Sequence, residues 1–555
     1  MSRTLTRTAT LDSVKKEAKR WLKALMAGDA AARLHLLSIW PKAPPEPGLR
    51  HVQHALALDY GFAGWAALKE ALADQMLAQR SRSEQAEEVL RAAWGGELAV
   101  ARRILQRTPE IARESLHTAA MCGDLAEVER RLAKDASAAT AKGGPFDWEP
   151  LLYLAYGRLP AAAEHVVAIA RLLLDNGANP NAQFDDGWGS PFKVLTGVVG
   201  QGEGMRPPHP RVHEFAALLI ERGADPFDAQ ALYNTSLGLD DTTWLDFLYG
   251  HCQAQGTEAR WRGEVDGLIT TPTRSALDYL LGNAVSSNHL KRAEWLLQHG
   301  ANPDTDHAYS KNPLHADAQL LGHREMAELL VRGGATPVAL GDQAAFLAAL
   351  MQRDLATAEA IAGARPAVLA DGTPLIVAAG RGLEDAVALL IGLGVPVDHA
   401  APDGQRALHA AAAAGHVEIA ERLLAAGADI DKRGMQYQAS PLGCAVFFKH
   451  AAMIDLLAPL SRDVVALVRA QRLDRAGAVL RAQPALAEAR NRDGDPLLCL
   501  LPDDEEDAVQ VTRFLLAHGA DPRGTNKNGE TAAQVARRRG LDDAADLMEE
   551  ARNGR

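Results

Sequence analysis

The sequence of 555 residues has few of the features that mark several common classes of protein. Aromatic residues make up only 5%, so the core must be built from small and branched aliphatic side chains, which let helices approach closely. The four cysteines lie far apart and form no C-x-x-C pair, which argues against a zinc site or a dithiol redox site. We therefore predict an all-α protein with reduced core thiols.

Positive charge is also in short supply. The chain has 59 Lys and Arg against 71 Asp and Glu, so its net charge of −12 repels nucleic-acid phosphates and anionic lipids. No apolar run approaches the ~18 residues of a membrane span, and the amino terminus lacks the apolar segment of a secretory signal. These absences predict a cytoplasmic protein that has neither nucleic acid nor a membrane as a partner.

What the chain does have is self-similarity. Apolar helix ends recur with a glycine placed where the chain must leave the helix with positive φ, and Gly394 and Gly427 are 33 residues apart. The clearest of these ends are LLLDNGANP (172–180), LLIERGADP (218–226), WLLQHGANP (295–303), LLAAGADI (423–430) and LLAHGADP (515–522). A period of this length predicts stacked helix pairs.

One segment carries a family resemblance. Residues 403–429, DGQRALHAAAAAGHVEIAERLLAAGAD, resemble the ankyrin repeat almost position for position. The resemblance implies a curved, all-α ankyrin-repeat solenoid of about 12–14 helix pairs over residues 80–555. Several pairs are degenerate, because residues 335–370 and 455–490 keep the helix pair and lose the turn.

Residues 1–79 do not follow the period. A predicted helix at 11–27, a proline-rich break at 41–47 and a further helical stretch at 54–72 are similar to an amino-terminal helical module that precedes ankyrin arrays in bacterial proteins. That resemblance implies a capping module and a bacterial protein.

Two successive repeats between residues 145 and 245 are enlarged. The usual distance from the start of a repeat to its closing glycine is 20 or 21 residues, whereas Pro150 to Gly177 is 27 and Pro191 to Gly223 is 32. Insertions in repeat proteins fall in loops on one side of the array, often the binding side. We therefore expect the functional face within these repeats.

The enlarged repeats concentrate aromatic and polar side chains of the kind that form binding hot spots. The candidate binding residues are Trp148, Phe184, Trp188, Glu203, Arg206, His209, Tyr233, Asn234, Asp240, Asp241 and Trp244. A second interpretation keeps Tyr233 and Trp244 in the core and gives Asp240 or Asp241 the role of capping the helix that carries Trp244.

No motif for catalysis stands out, since a phosphate loop, a nucleophile elbow and a zinc motif are all missing. His209 and His213 have the i, i+4 spacing of metal ligands, but the proline between them favours a helix that starts later, so no metal or cofactor is predicted. His315 and His409 open their repeats, and the ankyrin resemblance implies that they hydrogen-bond between neighbouring repeats.

We therefore predict a non-enzymatic binding scaffold that recognises an unidentified partner protein through the concave face and the inserted loops. The alternative is a small-molecule-binding or catalytic pocket formed by the repeats at 145–245, in which Glu203, His209, Asp228, Asp240 and Asp241 would supply acid–base groups.

Overall fold

The computed structural model describes residues 3–6, 8–159, 163–185, 191–202, 207–209, 211–263, 275–434 and 438–554. Three predicted site residues, Trp188, Glu203 and Arg206, lie outside the described residues. The chain divides into two compact units. Unit 1 comprises Met1–Gln319 and His323–Ala339, and unit 2 comprises Leu320–Gly322 and Leu340–Arg555.

The first four helices of unit 1 form a small module around their own apolar cluster, which extends from Val14 to Leu72. They are α1 (Leu11–Met26), α2 (Ala30–Ile39), α3 (Leu49–Asp59) and α4 (Trp65–Gln79). Thr10 and Asp29 cap α1 and α2 by accepting hydrogen bonds from backbone amides of the first turn. The predicted helix at 11–27 is confirmed, whereas the domain boundary at residue 79 stays a prediction.

The remainder of unit 1 is a series of helix pairs around a second apolar cluster. The helices are α5 (Arg82–Gly95), α6 (Leu98–Arg107), α7 (Leu116–Cys122), α8 (Leu125–Lys134), α9 (Pro150–Tyr156), α10 (Val166–Asp175), α11 (Val194–Val199), α12 (Val212–Glu221), α13 (Ala229–Ser236), α14 (Thr243–Ala254), α15 (Ala276–Ser286), α16 (Leu290–Gln298), α17 (Leu314–Leu320) and α18 (Arg324–Arg332). Short 3₁₀ turns occupy Pro109–Arg113, Ala136–Thr140 and Glu258–Arg262.

Unit 2 repeats the same pattern around its own core. Its helices are α19 (Asp342–Met351), α20 (Leu355–Ala364), α21 (Thr373–Gly380), α22 (Glu384–Gly392), α23 (Ala407–Ala414), α24 (Val417–Ala425), α25 (Pro441–Phe447), α26 (Ala451–Leu457), α27 (Val464–Arg469), α28 (Leu473–Ala482), α29 (Glu505–Ala517), α30 (Ala532–Arg538) and α31 (Asp542–Arg552). Its 3₁₀ turns are Pro366–Ala370, Pro484–Glu488 and Leu497–Cys499.

The prediction of an all-α fold is confirmed, because the only sheet among the described residues has two short strands. Strand β1 (Gln183–Asp185) pairs antiparallel with β2 (Pro191–Lys193), and Phe184 lies opposite Phe192. The hairpin belongs to the segment between the second helix of one repeat and the first helix of the next, a segment termed the finger below.

The predicted signals of the repeat are borne out residue by residue. Gly177, Gly223 and Gly427 have φ of 91°, 95° and 95°, the left-handed conformation that ends a helix. His409 Nε2 lies 3.1 Å from the carbonyl oxygen of Ala439 in the next finger. His315 Nδ1 accepts the backbone N–H of Val338, also one repeat further on. Both histidines therefore link neighbouring repeats, as expected.

The two enlarged repeats carry their extra residues between their paired helices, where the sequence placed them. The connection between α9 and α10 spans 157–165, and that between α11 and α12 spans 200–211. The four cysteines form no disulfide, in agreement with the prediction of reduced thiols.

Candidate functional site

Trp148 and Phe184 lie together at the fingers of the enlarged repeats. Trp148 is buried, and its ring stacks on half-buried Phe184 with 4.3 Å between ring centroids. Trp94, near the end of α5, meets both rings edge-on, at 5.2 Å from Trp148 and 5.6 Å from Phe184. Residues from three repeats therefore share one aromatic cluster.

The β-hairpin anchors this cluster to the helices. Phe192 stacks on Phe184 across the two strands at 5.5 Å, and the Tyr156 hydroxyl donates to the carbonyl oxygen of Lys193 over 2.8 Å. Phe146, in the preceding finger, packs 4.8 Å from Trp148. The five rings of Trp94, Phe146, Trp148, Phe184 and Phe192 are termed the aromatic patch below. All except Trp148 are half-buried.

The sequence prediction contained Trp148 and Phe184 but missed the other three rings of the patch. Phe146 and Phe192 each lie within ten residues of a predicted aromatic, so a search for paired aromatics at finger positions would have found them. Trp94 is two repeats away along the chain, and no spacing rule places it against Phe184.

The side chain of Asn234 bonds to the protein's own backbone in the larger insertion. This insertion, the connection at 200–211 between α11 and α12, is termed the glycine-rich loop below. The Asn234 side-chain amide donates to the carbonyl oxygen of Gly200 over 3.1 Å, and its Oδ1 accepts from Gln230 Nε2 over 2.9 Å. Gly202 has φ of 81°, and a Cβ built there would lie 2.9 Å from Asn234 Oδ1. The close approach requires glycine, so this part of the loop is shaped by contact with α13 of the following repeat.

His209 is enclosed by the protein, with only 3% of its surface exposed. Its ring meets Phe215 edge-on at 5.6 Å, and its backbone N–H donates to Val198. Burial, together with the positive charge of Arg158, lowers the pKa of His209 to about 3. Because the imidazole is then neutral throughout the physiological range, it is a poor general acid at pH 7.

Arg158 ties the connection after α9 to the larger insertion. Its guanidinium donates to the carbonyl oxygens of Pro207 and Gly197 over 2.8 and 2.6 Å, and also to those of Ala155 and Gly157. Carbonyl oxygens cannot be ionised, so these contacts hold the insertion in place without neutralising the arginine.

The imidazoles of His209 and His213 take separate partners. His213 stacks on Trp244, with ring centroids 5.0 Å apart, while His209 packs on Phe215. No cluster of three or more potential metal ligands occurs among the described residues. The imidazole rings of His209 and His213 therefore pack on different aromatic side chains.

Asp228 is a buried structural carboxylate. Its Oδ1 accepts the backbone N–H groups of Gln230 and Ala231, both over 3.1 Å, and its Oδ2 accepts the Thr196 hydroxyl over 2.8 Å. It thus caps α13 and joins it to α11 in the preceding repeat. Burial raises the pKa of Asp228, although these three donors and the charge of Lys193 oppose the shift.

Asp240 and Asp241 both act at helix starts. The Asp240 carboxylate accepts the backbone N–H groups of Lys291 and Arg292 over 3.1 Å and caps α16 of the next repeat. Asp241 accepts the N–H of Thr243, the first residue of the helix that carries Trp244. Trp244 itself is buried. Asp241 and Trp244 therefore have the capping and core roles of the second interpretation, whereas Asp240 caps a different helix and Tyr233 is half-buried.

Ser286, His307 and Asp317 resemble a hydrolase triad in outline. His307 Nε2 lies 3.0 Å from Ser286 Oγ, and its Nδ1 lies 3.5 Å from Asp317 Oδ2. However, the backbone N–H of Ser310 donates to Nδ1 over 3.2 Å. The neutral imidazole therefore carries its proton on Nε2, so it cannot accept a proton from Ser286 in the way a triad requires.

Helix pairs joined by fingers, with histidines bridging successive pairs, define a helical-repeat protein. The repeats within residues 345–466 are ankyrin repeats, since a family model of ankyrin repeats (3 copies) matches residues 345–434 and 375–466. The chain is thus all-α and contains ankyrin repeats. Ankyrin repeats are generally protein-interaction modules.

Solved structures resemble about a third of the chain. An ankyrin repeat domain from Acinetobacter baumannii AYE is 22% identical, with a TM-score of 0.27, over 33% of this chain and 98% of that one. A chain from the complex of a predatory endopeptidase of Bdellovibrio bacteriovorus with an immunity protein is 21% identical, with a TM-score of 0.26, over 32% and 96%. No curated protein matches this sequence.

Among the residues that the structure describes, no helix is long and apolar enough to cross a membrane.

Proposed function

We propose that the protein is a non-enzymatic scaffold that binds a partner protein through the fingers of the repeats at 145–245. The observation that carries the proposal is the aromatic patch, in which three half-buried rings contact Trp148 and a fourth, Phe192, stacks on Phe184. Stacked aromatic rings offer a large contact area at a low entropic cost and are enriched among binding hot spots.

The polar residues of the same repeats support a scaffold over a catalytic pocket. Asp228, Asp240 and Asp241 accept backbone amides, and Asn234 holds the glycine-rich loop. A general acid or base must reach the substrate, and these groups face the protein's own backbone. We also propose that the protein is bacterial and cytoplasmic and that it uses no cofactor.

The proposal is tested by quantitative affinity capture from the cells that make the protein, followed by Kd measurements on the partner that is identified. Phe184→Ala removes a half-buried ring of the patch and is expected to weaken binding by ~1 kcal/mol or more, about fivefold. Arg206→Ala tests the inserted loop in the same assay. Arg538→Ala, on α30 of unit 2, is the control and should leave the affinity unchanged.

Each variant must first show a cooperative melting curve, because Phe184 also supports its own finger. Folded Phe184→Ala and Arg206→Ala proteins that bind the partner normally would place the binding face elsewhere. Capture of a small molecule, detected by native mass spectrometry and lost in Phe184→Ala, would instead favour the pocket.

A further inference from the structure

Unit 2 contains a groove of about 440 Å³, which lies outside the repeats at 145–245. Its floor is formed by α25 and α27, and its two ends by the finger before α25 and the finger at 491–493. Five of the lining residues supply the apolar surface and the positive charge: Arg433, Cys444, Phe447, Phe448 and Arg469.

The groove exists because one finger is missing. Residues 426–440 connect α24 to α25, whereas only 458–463 connect α26 to α27. This short connection turns directly into α27, with Ser461 donating its backbone N–H to Leu457 and Asp463 capping the new helix. The connection at 458–463 therefore leaves the junction of α25 and α27 without a finger, although the finger before α25 and the finger at 491–493 flank it.

The apolar part of the groove is unusually exposed. Phe447 and Phe448 at the end of α25 are 66% and 53% exposed, and their rings meet edge-on at 5.0 Å. Cys444 and Val446 line the groove beside them. Burial raises the pKa of the Cys444 thiol to about 11, so it stays uncharged and adds to the apolar surface. Adjacent exposed aromatics of this kind mark docking sites.

The charge available in the groove is positive. The side chain of exposed Arg469 makes no hydrogen bond or ion pair with any described residue. Arg433 bonds Asp463 over 3.1 Å yet keeps 45% of its side chain exposed. Asp463 is already saturated, since it also accepts the Ser440 hydroxyl over 2.6 Å and two backbone amides of α27.

The second acidic residue of the lining is also paired, because Asp493 lies 3.7 Å from Lys527. A basic groove on a chain with a net charge of −12 is a local departure from the rest of the surface. Arginine side chains in the groove attract carboxylates.

We propose that this groove binds a short segment of a partner protein in which an apolar side chain is flanked by acidic residues. The apolar side chain packs on Phe447 and Phe448, and the carboxylates pair with Arg469 and Arg433. This second site uses residues of unit 2 alone and does not depend on the aromatic patch.

The test selects 12-residue random peptides displayed on phage against the full chain and measures the enriched peptides by fluorescence anisotropy. We expect sequences rich in Asp or Glu beside Leu, Phe or Trp. Their Kd should rise at least tenfold with Phe447→Ser or Arg469→Glu, and also when their acidic residues are replaced by Asn and Gln. Binding should weaken as salt is raised.

Two control variants separate this site from other surfaces. Arg422→Glu changes an exposed arginine on α24 outside the groove, and Phe184→Ala changes the aromatic patch. Neither should alter the Kd. Because Phe447 and Arg469 are exposed, their variants should melt like the parent; Phe448→Ser is the substitute if one does not.

Three outcomes would overturn the inference: no peptide is enriched above the display background, the enriched peptides lack acidic residues, or the Kd for Phe447→Ser and Arg469→Glu stays within twofold of the parent. Peptides that lose affinity only with Phe184→Ala would reject the groove and support the aromatic patch. Preferential binding of a single-stranded oligonucleotide over the peptides would show that the cations serve phosphates.

Discussion

The enlarged repeats at 145–245 and the groove of unit 2 depart from the repeat pattern in opposite directions. The enlarged repeats have gained residues, and the insertion at 200–211 is hydrogen-bonded to neighbouring parts of the protein. Arg158 donates to the carbonyl oxygen of Pro207, and Asn234 donates to that of Gly200. The groove of unit 2 has lost a finger, which leaves Phe447 and Arg469 uncovered. An added segment brings backbone N–H and C=O groups that need hydrogen-bond partners, so it bonds to its neighbours. The loss of a segment instead exposes the side chains that the segment would cover.

The largest expected effect concerns a buried carboxylate of the enlarged repeats. Asp228→Ala removes the cap of α13 and leaves the Thr196 hydroxyl without its acceptor, so the free energy of unfolding should fall by about 2–4 kcal/mol. Urea denaturation measures this loss. Asp354→Ala, which removes the half-buried cap of α20, is the matched control and should cost about 1 kcal/mol. Equal losses for the two variants would show that Asp228 is only a helix cap.

A well-formed repeat gives the reference between the two regions. Gly427 has φ of 95°, and a Cβ there would meet no atom within 4 Å, so Gly427→Val tests backbone strain alone. We expect a loss of more than ~1 kcal/mol in the free energy of unfolding. Gly392→Val is the control, since Gly392 is equally uncrowded at the end of α22 without a positive φ. An unchanged melting midpoint for Gly427→Val would contradict the assignment.

The pH dependence of stability tests whether the larger insertion is packed as tightly as described. The pKa of His209 is lowered to about 3 in the folded state from 6.5, so the unfolded chain binds the proton first as the pH falls. Its contribution to stability is complete above pH 6.5 and is lost progressively between pH 6.5 and 3. The loss should reach about 2 kcal/mol at pH 5.

The variant His209→Leu cannot bind that proton, so its stability relative to the parent should rise by about this amount between pH 8 and pH 5. Chemical denaturation at both pH values measures the difference. A parent and variant with parallel pH profiles would mean that His209 is accessible to water.

The two aromatic surfaces should differ in what they contribute to folding. Phe184 packs on Trp148 and Phe192, so Phe184→Ala should cost about 1–2 kcal/mol, less than a fully buried phenylalanine. Phe447 is 66% exposed, and Phe447→Ala should change the free energy of unfolding by less than ~0.5 kcal/mol. If differential scanning calorimetry finds the two melting temperatures lowered equally, Phe447 is a folding residue and the contrast fails.

The smallest effect concerns the turn beside the groove. Gln471, between α27 and α28, has φ of 56°, where Gly415 occupies the equivalent turn between α23 and α24 with φ of 80°. Gln471→Gly relieves a conformation that costs an ordinary residue about 1 kcal/mol, against the greater entropy of glycine in the unfolded chain. We expect the free energy of unfolding, measured by thermal denaturation, to rise by up to ~0.5 kcal/mol. A loss would mean that the glutamine side chain supports the turn.

The local structure of each repeat can be predicted from the amino-acid sequence. The positive φ of Gly427, the capping of the Trp244 helix by Asp241 and the position of both insertions depend on residues a few places apart, and such short-range geometry is visible in the spacing. The loss of the turn in the degenerate stretch at 455–490 was visible for the same reason.

The contacts between residues of different repeats cannot be predicted in this way and are known from the three-dimensional structure. Asp240 caps a helix that begins 50 residues later, and Trp94 packs on Phe184 from two repeats away. The groove likewise depends on α25 and α27 lying side by side, where the short connection at 458–463 does not cover them. These contacts depend on how successive helix pairs stack, and stacking is set by the packing of whole repeats, which no periodicity within one repeat encodes.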